Sequence, residues 1–279
     1  MRFLCAIQVL FALSLCRGAD RPTAGQEIPF HLRDGFIWID VTVVGTDAPM
    51  HFLLDSGAQV SVVNLAAAKR LGMKGGKAVS VMGVGKVTTG LWPQTATAYA
   101  GGIELPRNYL ALDLSDLSEA CTNAPVDGII GADFFHGRIV QLDYEHEMLR
   151  ILPDVPAEPG TQNLPLKLRP CGMLVPVRIN DSKPQWARLD TGCASALQWV
   201  TKTVRPEKCT RRVAVALTKL SVPVTLTSVK LGTGTFENVP TDLHAKEIFP
   251  GESGILGNGL LSRFSRVTVD AKAGRVFLR

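Results

Sequence analysis

The chain has 279 residues, 46% of them hydrophobic, with a formal net charge of +5. That length allows one large domain or two modest ones, with apolar content ordinary for a globular protein able to bury a core. The charges are scattered, and Arg211-Arg212 is only a pair, so a nucleic-acid partner is not expected.

The chain begins with Met1-Arg2, followed by an almost wholly apolar run from Phe3 to Cys16 that Gln8 interrupts, and then Arg17-Gly18-Ala19-Asp20. This is the layout of a secretory signal peptide over residues 1–19, and it implies an exported protein, periplasmic or secreted. The run is too short to span a bilayer, and no later stretch reads as a membrane span. Of six cysteines, Cys5 and Cys16 would leave with the signal. Cys121, Cys171, Cys193 and Cys209 remain, and an exported chain allows them two disulfide bonds in three connectivities. The short separation of Cys193 and Cys209 favours that pair. No CxxC is present, so no structural metal is expected.

From residue 28 to 151 the pattern is mainly β. Residues 36–44 are rich in β-branched and aromatic side chains. Gly45 to Pro49 reads as a turn, and residues 50–54 return as a strand ending on Asp55. Residues 60–64 continue extended. Residues 65–71 form a short helix stopped by Gly72. Residues 79–91 read as a strand pair around Met82-Gly83-Val84-Gly85. Further strands follow at 95–103 and 109–112, and a hairpin at 138–152. Residues 153–165 hold four prolines and a glycine and read as a linker.

Beyond the linker the pattern repeats. Asp55-Ser56-Gly57 recurs as Asp190-Thr191-Gly192. Pro49 and Pro184 both stand six residues before their aspartate, and Gly45 and Asn180 both stand ten before it. Glycine and asparagine both tolerate the positive φ of a turn. Gly128-Ile129-Ile130-Gly131 recurs as Gly254-Ile255-Leu256-Gly257, and the closing hairpin at 140–151 recurs at 267–278. Chance alone gives one Asp-[Ser/Thr]-Gly in roughly a tenth of chains this long, so two copies inside one long repeat are not accidental.

If the two halves pack as an intramolecular pseudo-dimer, Asp55 and Asp190 meet. Two adjacent carboxylates cannot both ionise cheaply and share one proton, which makes an acid and a base from identical side chains. The ionised member takes a proton from a water, and the neutral member donates to a substrate carbonyl. Gly57 and Gly192 are expected to allow a tight turn, and Ser56 and Thr191 to hydrogen-bond across the two loops. The apolar-apolar-Gly segments are expected to brace those loops.

On these motifs the chain resembles the retropepsin/pepsin class of aspartic proteases. Leu53-Leu54-Asp55-Ser56-Gly57-Ala58 with Ile129-Ile130-Gly131 matches the family pattern in the first half. Leu189-Asp190-Thr191-Gly192 with Ile255-Leu256-Gly257 matches it in the second. Arg188 and Cys193 depart from it. The resemblance implies an all-β fold of two similar acid-protease β-barrel lobes related by pseudo-twofold symmetry, at residues 26–152 and 166–279. It implies an aspartic-type endopeptidase acting as a monomer on peptide or protein substrates, with Asp55 and Asp190 catalytic and no metal or cofactor. It also implies a flap, for which Met82, Gly83, Val84 and Gly85 are the candidates. Residues 211–224 contain no glycine, so a single flap is expected. The alternative is a catalytically inactive binding or inhibitor protein on the same fold. Asp127, Asp143 and Asp270 read as turn or hydrogen-bonding residues. The dispersed His31, His51, His136, His146 and His244 read as surface or satisfied groups.

Overall fold

A computed structural model describes residues 26–83, 86–120, 124–170, 172–201, 210–215 and 218–279. Among the described residues the fold is all-β, with three sheets. One has ten strands, all drawn from the first half, and one has eight, all from the second. The third has six strands, three from the first half, two from the second and one from the stretch that joins them, in the order Gln26–Pro29, Met148–Leu152, Ile139–Asp143, Arg266–Asp270, Arg275–Leu278, Gln162–Pro165.

In the first half, Phe36–Val43 runs antiparallel to Met50–Leu54. Alternation places Ile37, Ile39, Val41 and Val43 in the core. Gly45 takes φ +93° at the intervening turn, and Asn180 takes φ +48° at its counterpart in the second half. Both turns therefore use the left-handed conformation that those two residue types supply at least cost. Met50–Leu54 lies parallel to Gly128–Ile130, which is antiparallel to Val62–Asn64, itself parallel to Asn108–Leu112. The second half pairs its strands in the same order. Gln185–Asp190 is parallel to Gly254–Gly257, which is antiparallel to Leu197–Val200, itself parallel to Gly234–His244.

The central pairing of the six-stranded sheet joins the halves. Ile139–Asp143 and Arg266–Asp270 run antiparallel in continuous register, Ile139 opposite Asp270 and Asp143 opposite Arg266. Val140, Leu142, Val267 and Val269 are buried there in one apolar cluster that also holds Ile28, Phe30 and Leu278. Gln162–Pro165, the end of the Pro-rich stretch, is a strand paired with Arg275–Leu278. No helix among the described residues is long and apolar enough to cross a membrane.

Two hairpins project from the sheets. Lys77–Gly83 pairs with Lys86–Thr95, from Lys77 opposite Trp92 to Gly83 opposite Lys86. Met82 and Gly83 thus end one arm, while Val84 and Gly85 lie outside the described residues. In the second half, Thr210–Val215 pairs with Thr218–Leu231, from Thr210 opposite Pro223 to Val215 opposite Thr218. A single flap is expected from the lack of glycine in residues 211–224, yet that region also forms a hairpin. Its arms are rich in Val and Thr, and β propensity along two arms specifies a hairpin without a turn glycine.

Candidate active site

Each aspartate sits where a strand must stop. Met50–Leu54 stays in register with Gly128–Ile130 up to Leu54 opposite Ile130, and the Asp55 N–H then donates to the Ile130 carbonyl at 2.9 Å. The chain turns back at once, with the Ala58 N–H donating to the Asp55 carbonyl at 3.2 Å. In the second half the Cys193 N–H donates to the Asp190 carbonyl at 3.3 Å.

The two loops lock to each other through Ser56 and Thr191. The Ser56 hydroxyl donates to the Leu189 carbonyl at 2.8 Å and accepts from the Thr191 N–H at 3.1 Å. The Thr191 hydroxyl donates to the Leu54 carbonyl at 2.9 Å and accepts from the Ser56 N–H at 3.0 Å. Both side chains are buried, so water cannot replace these bonds.

This lock brings the aspartates together, each carboxyl lying against the other loop's glycine. Gly57 and Gly192 are needed here for space. A Cβ on Gly57 would run into the Asp190 carboxyl, and a Cβ on Gly192 would run into the Asp55 carboxyl. Neither glycine appears among the residues of positive φ. The tight turn expected from sequence is present, but what requires glycine in it is the close approach of the opposite acid.

Burial raises the Asp55 carboxyl above the usual carboxylate range, while hydrogen bonds from Asp190 and from the Ala58 and Gly57 N–H groups pull it back. Asp190 is raised further, by burial and then by the Asp55 charge. The asymmetry has a visible source. Asp55 Oδ1 accepts two backbone N–H groups, from Gly57 at 2.8 Å and Ala58 at 3.0 Å, whereas Asp190 Oδ1 accepts that of Gly192 at 2.9 Å. Two ionised carboxyls this close repel each other, and a single charge is better held on Asp55, which accepts more N–H groups.

The apolar-apolar-Gly segments brace the loops from behind. A Cβ on Gly131 would strike the backbone of Val60, and one on Gly257 the carbonyls of Cys193 and Ser195. The Ala132 N–H donates to the Ala58 carbonyl and the Asn258 N–H to the Cys193 carbonyl, both at 2.8 Å. Two bracing side chains were not singled out from the sequence. Asp133 accepts from the Ser61 N–H at 2.9 Å and its hydroxyl at 2.8 Å. Asn258 donates to the Thr191 carbonyl at 2.6 Å and the Gly35 carbonyl at 2.9 Å, and accepts from the Tyr144 hydroxyl at 2.9 Å. Their place beside the Gly-Ile-[Ile/Leu]-Gly repeats was the available signal.

Both hairpins pack on apolar clusters that adjoin the aspartate loops. Val79 and Val81 pack on the apolar cluster that also takes Ala58, Val60 and Ala194, and Val222 packs with Cys193 and Ile255. Cys193 is a buried free thiol that accepts from Gln198 Nε2 at 3.3 Å. The expected Cys193–Cys209 bond is therefore not formed, because the Cys193 side chain points into this apolar pocket. Cys121, Cys171 and Cys209 lie outside the described residues. Arg188 turns inward and donates to the Gly57 carbonyl at 2.9 Å and to Glu252.

The other acidic candidates stay away from this centre. Asp127 accepts from the His51 N–H and Arg70, and Asp270 from the Lys272 and Ala273 N–H groups. Asp143, Glu145 and His146 converge in space, but Asp143 is held by Arg150 and Arg266. His31 and His51 pair with Glu147 and Asp40 at the surface, and His244 is buried against Gln198.

Residues 39–134 match the family model described as aspartyl protease. The matched span covers about a third of the chain, from within the first hairpin through Asp55 and Gly131 to Phe134, and supports the retropepsin/pepsin-like family and a general aspartic protease function. No curated protein matches the chain.

Proposed function

We propose that the protein is an exported, two-lobed, single-chain aspartic endopeptidase, periplasmic or secreted, whose lobes are related by a pseudo-twofold axis. Asp55 and Asp190 are its catalytic pair, and a peptide or protein its substrate. The recurrence of strand pairings in the two halves supports the two lobes. The observation that carries the activity is the meeting of two carboxyl groups, Asp190 buried and Asp55 half-buried, each packed on the other loop's glycine.

The chemistry follows from the shared proton. Asp55, stabilised by two N–H donors, takes a proton from a water as the water oxygen bonds to the scissile carbonyl carbon. Asp190 gives its proton to the carbonyl oxygen. The resulting tetrahedral diol collapses with cleavage of the C–N bond, and the leaving nitrogen receives the proton from Asp55. A diol proton returns to Asp190. The Ser56–Thr191 lock holds the two acids at fixed separation, which supplies the positioning the step requires. The hairpin arms Lys77–Gly83 with Lys86–Thr95, and Thr210–Val215 with Thr218–Leu231, are the candidates for flaps that cover a bound peptide.

The test uses the mature chain against a diverse peptide library across a pH range, beside Asp55→Asn and Asp190→Asn. Each variant should keep the fold by circular dichroism and lose at least about 10³-fold in kcat/KM. Cleavage undiminished in either variant overturns the assignment. A folded wild type that cleaves nothing points instead to a binding or inhibitor protein.

A further inference from the structure

Arg188 stands two residues before its aspartate, where the first half has buried Leu53. Leu53 shows that an apolar residue serves this position in the same fold. Yet Arg188 is 1% exposed and its burial engages several segments. Its Nε and Nη2 donate to Glu252 at 2.9 and 2.6 Å. Its Nη1 donates to the Gly57 carbonyl at 2.9 Å. The Phe249 ring lies 3.7 Å from the guanidinium carbon. A Cβ at Gly172 would occupy the guanidinium's place.

A buried ion pair is a poor way to gain stability, because desolvation offsets most of the attraction, and an apolar pair of similar volume does as well or better. The arrangement does something leucine cannot. The guanidinium fork has two edges. One is covered by Glu252, and Nη1 faces Gly57, whose own N–H bonds Asp55 Oδ1 at 2.8 Å. The positive end of the pair is thus turned toward the two aspartates and the negative end away.

We propose that Arg188 and Glu252 form a buried charge pair that tunes the Asp55–Asp190 dyad, Arg188 favouring its singly ionised form and Glu252 moderating and orienting that charge. Arg188 is a positioning residue, acting on the dyad through space and through the Gly57 carbonyl. The inference rests on the catalytic reading of the dyad. In agreement with the geometry, the Arg188 charge lowers both carboxyls against the upward push of burial. The other ionisable groups near the dyad and the pair are few among the described residues. The Cys193 thiol is pushed up by burial and stays neutral. His244 is lowered by burial, Asp242 is buried on the same strand, and Arg169 and Glu247 sit at the exposed rim beside Gly251.

The test compares the pH dependence of kcat/KM for the wild type, Glu252→Gln, and the double variant Arg188→Gln/Glu252→Gln. The acid limb reports loss of the proton that arms the dyad. Glu252→Gln leaves the cation without its counter-charge, so the limb should move to lower pH. The double variant removes the cation, and the limb should move to higher pH by about one unit. A carbon-13 carboxyl titration of Asp55 and Asp190 in the intact protein reads the same shifts without turnover. A chain that cleaves no peptide therefore defeats the proposed activity while this titration still decides the tuning. Shifts of the same sign in the two variants, or a titration unmoved in Glu252→Gln, overturn the inference. If the double variant does not fold, the downward shift in Glu252→Gln decides alone.

Discussion

Thr191→Val probes the lock between the aspartate loops with little change in shape. The substitution removes a buried hydroxyl that donates to the Leu54 carbonyl at 2.9 Å and accepts from the Ser56 N–H at 3.0 Å. Valine fills the space but leaves both backbone groups without a partner, in a place water does not reach. Each orphaned group costs about 1–3 kcal/mol, so the variant should lose about 2–5 kcal/mol of unfolding free energy, measured by urea denaturation at constant m-value. Activity should fall further than stability explains, because loops displaced by about 1 Å cost on the order of 10²-fold in rate. Ser56→Ala removes the reciprocal pair of bonds. The double variant should lose less than the sum of the singles, since each already disrupts the other's partner. A loss below about 0.5 kcal/mol, typical of an exposed site, or strict additivity in the cycle, refutes the lock.

Gly192→Ala should leave the chain folded but cut kcat/KM by at least about 10²-fold, because the new methyl collides with the Asp55 carboxyl; near-normal kinetics would show that the loops do not approach this closely. Asp190 is raised in the folded state, chiefly by burial, so its contribution to stability is complete below the unfolded value near 3.8 and is lost as pH rises through the folded value. Asp190→Asn should therefore be more stable than the wild type at neutral pH and close to it near pH 3, and a variant less stable at pH 7 contradicts the burial argument. Asp143 behaves oppositely. Burial alone would raise it, but hydrogen bonds from Arg150, His146 and Arg266 outweigh this and hold it at about 2. Its contribution is complete above about pH 4 and fades as pH falls toward 2. Asp143→Asn should melt at lower temperature at pH 7 and match the wild type near pH 2, and equal melting at pH 7 would dismiss the cluster as a stabilising feature.

Much of the site was legible in the chain because its parts are local. A strand that ends on Asp-[Ser/Thr]-Gly, a turn ten residues earlier built on Gly45 or Asn180, and a later Gly-Ile-[Ile/Leu]-Gly are spacings within single segments, and backbone sterics dictate them. The positive φ at Gly45 and Asn180 is a direct consequence of residue type. The hydroxyls of Ser56 and Thr191 were readable as cross-loop bonds because a repeated motif implies its own partner.

What only the tertiary structure decided concerns groups whose role depends on a residue far away in sequence. Gly57 and Gly192 read locally as turn formers, yet each is required by the carboxyl of the other half. The six-stranded sheet, with Gln162–Pro165 as a strand, was hidden because prolines tolerated on an edge strand look like linker. The second hairpin has no turn glycine to announce it, and its only local signal is the β propensity of its arms. Cys193 read as a disulfide partner, but the direction of its side chain leaves it a thiol. Arg188 read as an irregularity until Glu252 and the Gly57 carbonyl were found on its two edges. A buried charge is interpretable only with its partner, and Glu252 lies 64 residues away along the chain, joined to Arg188 by folding alone.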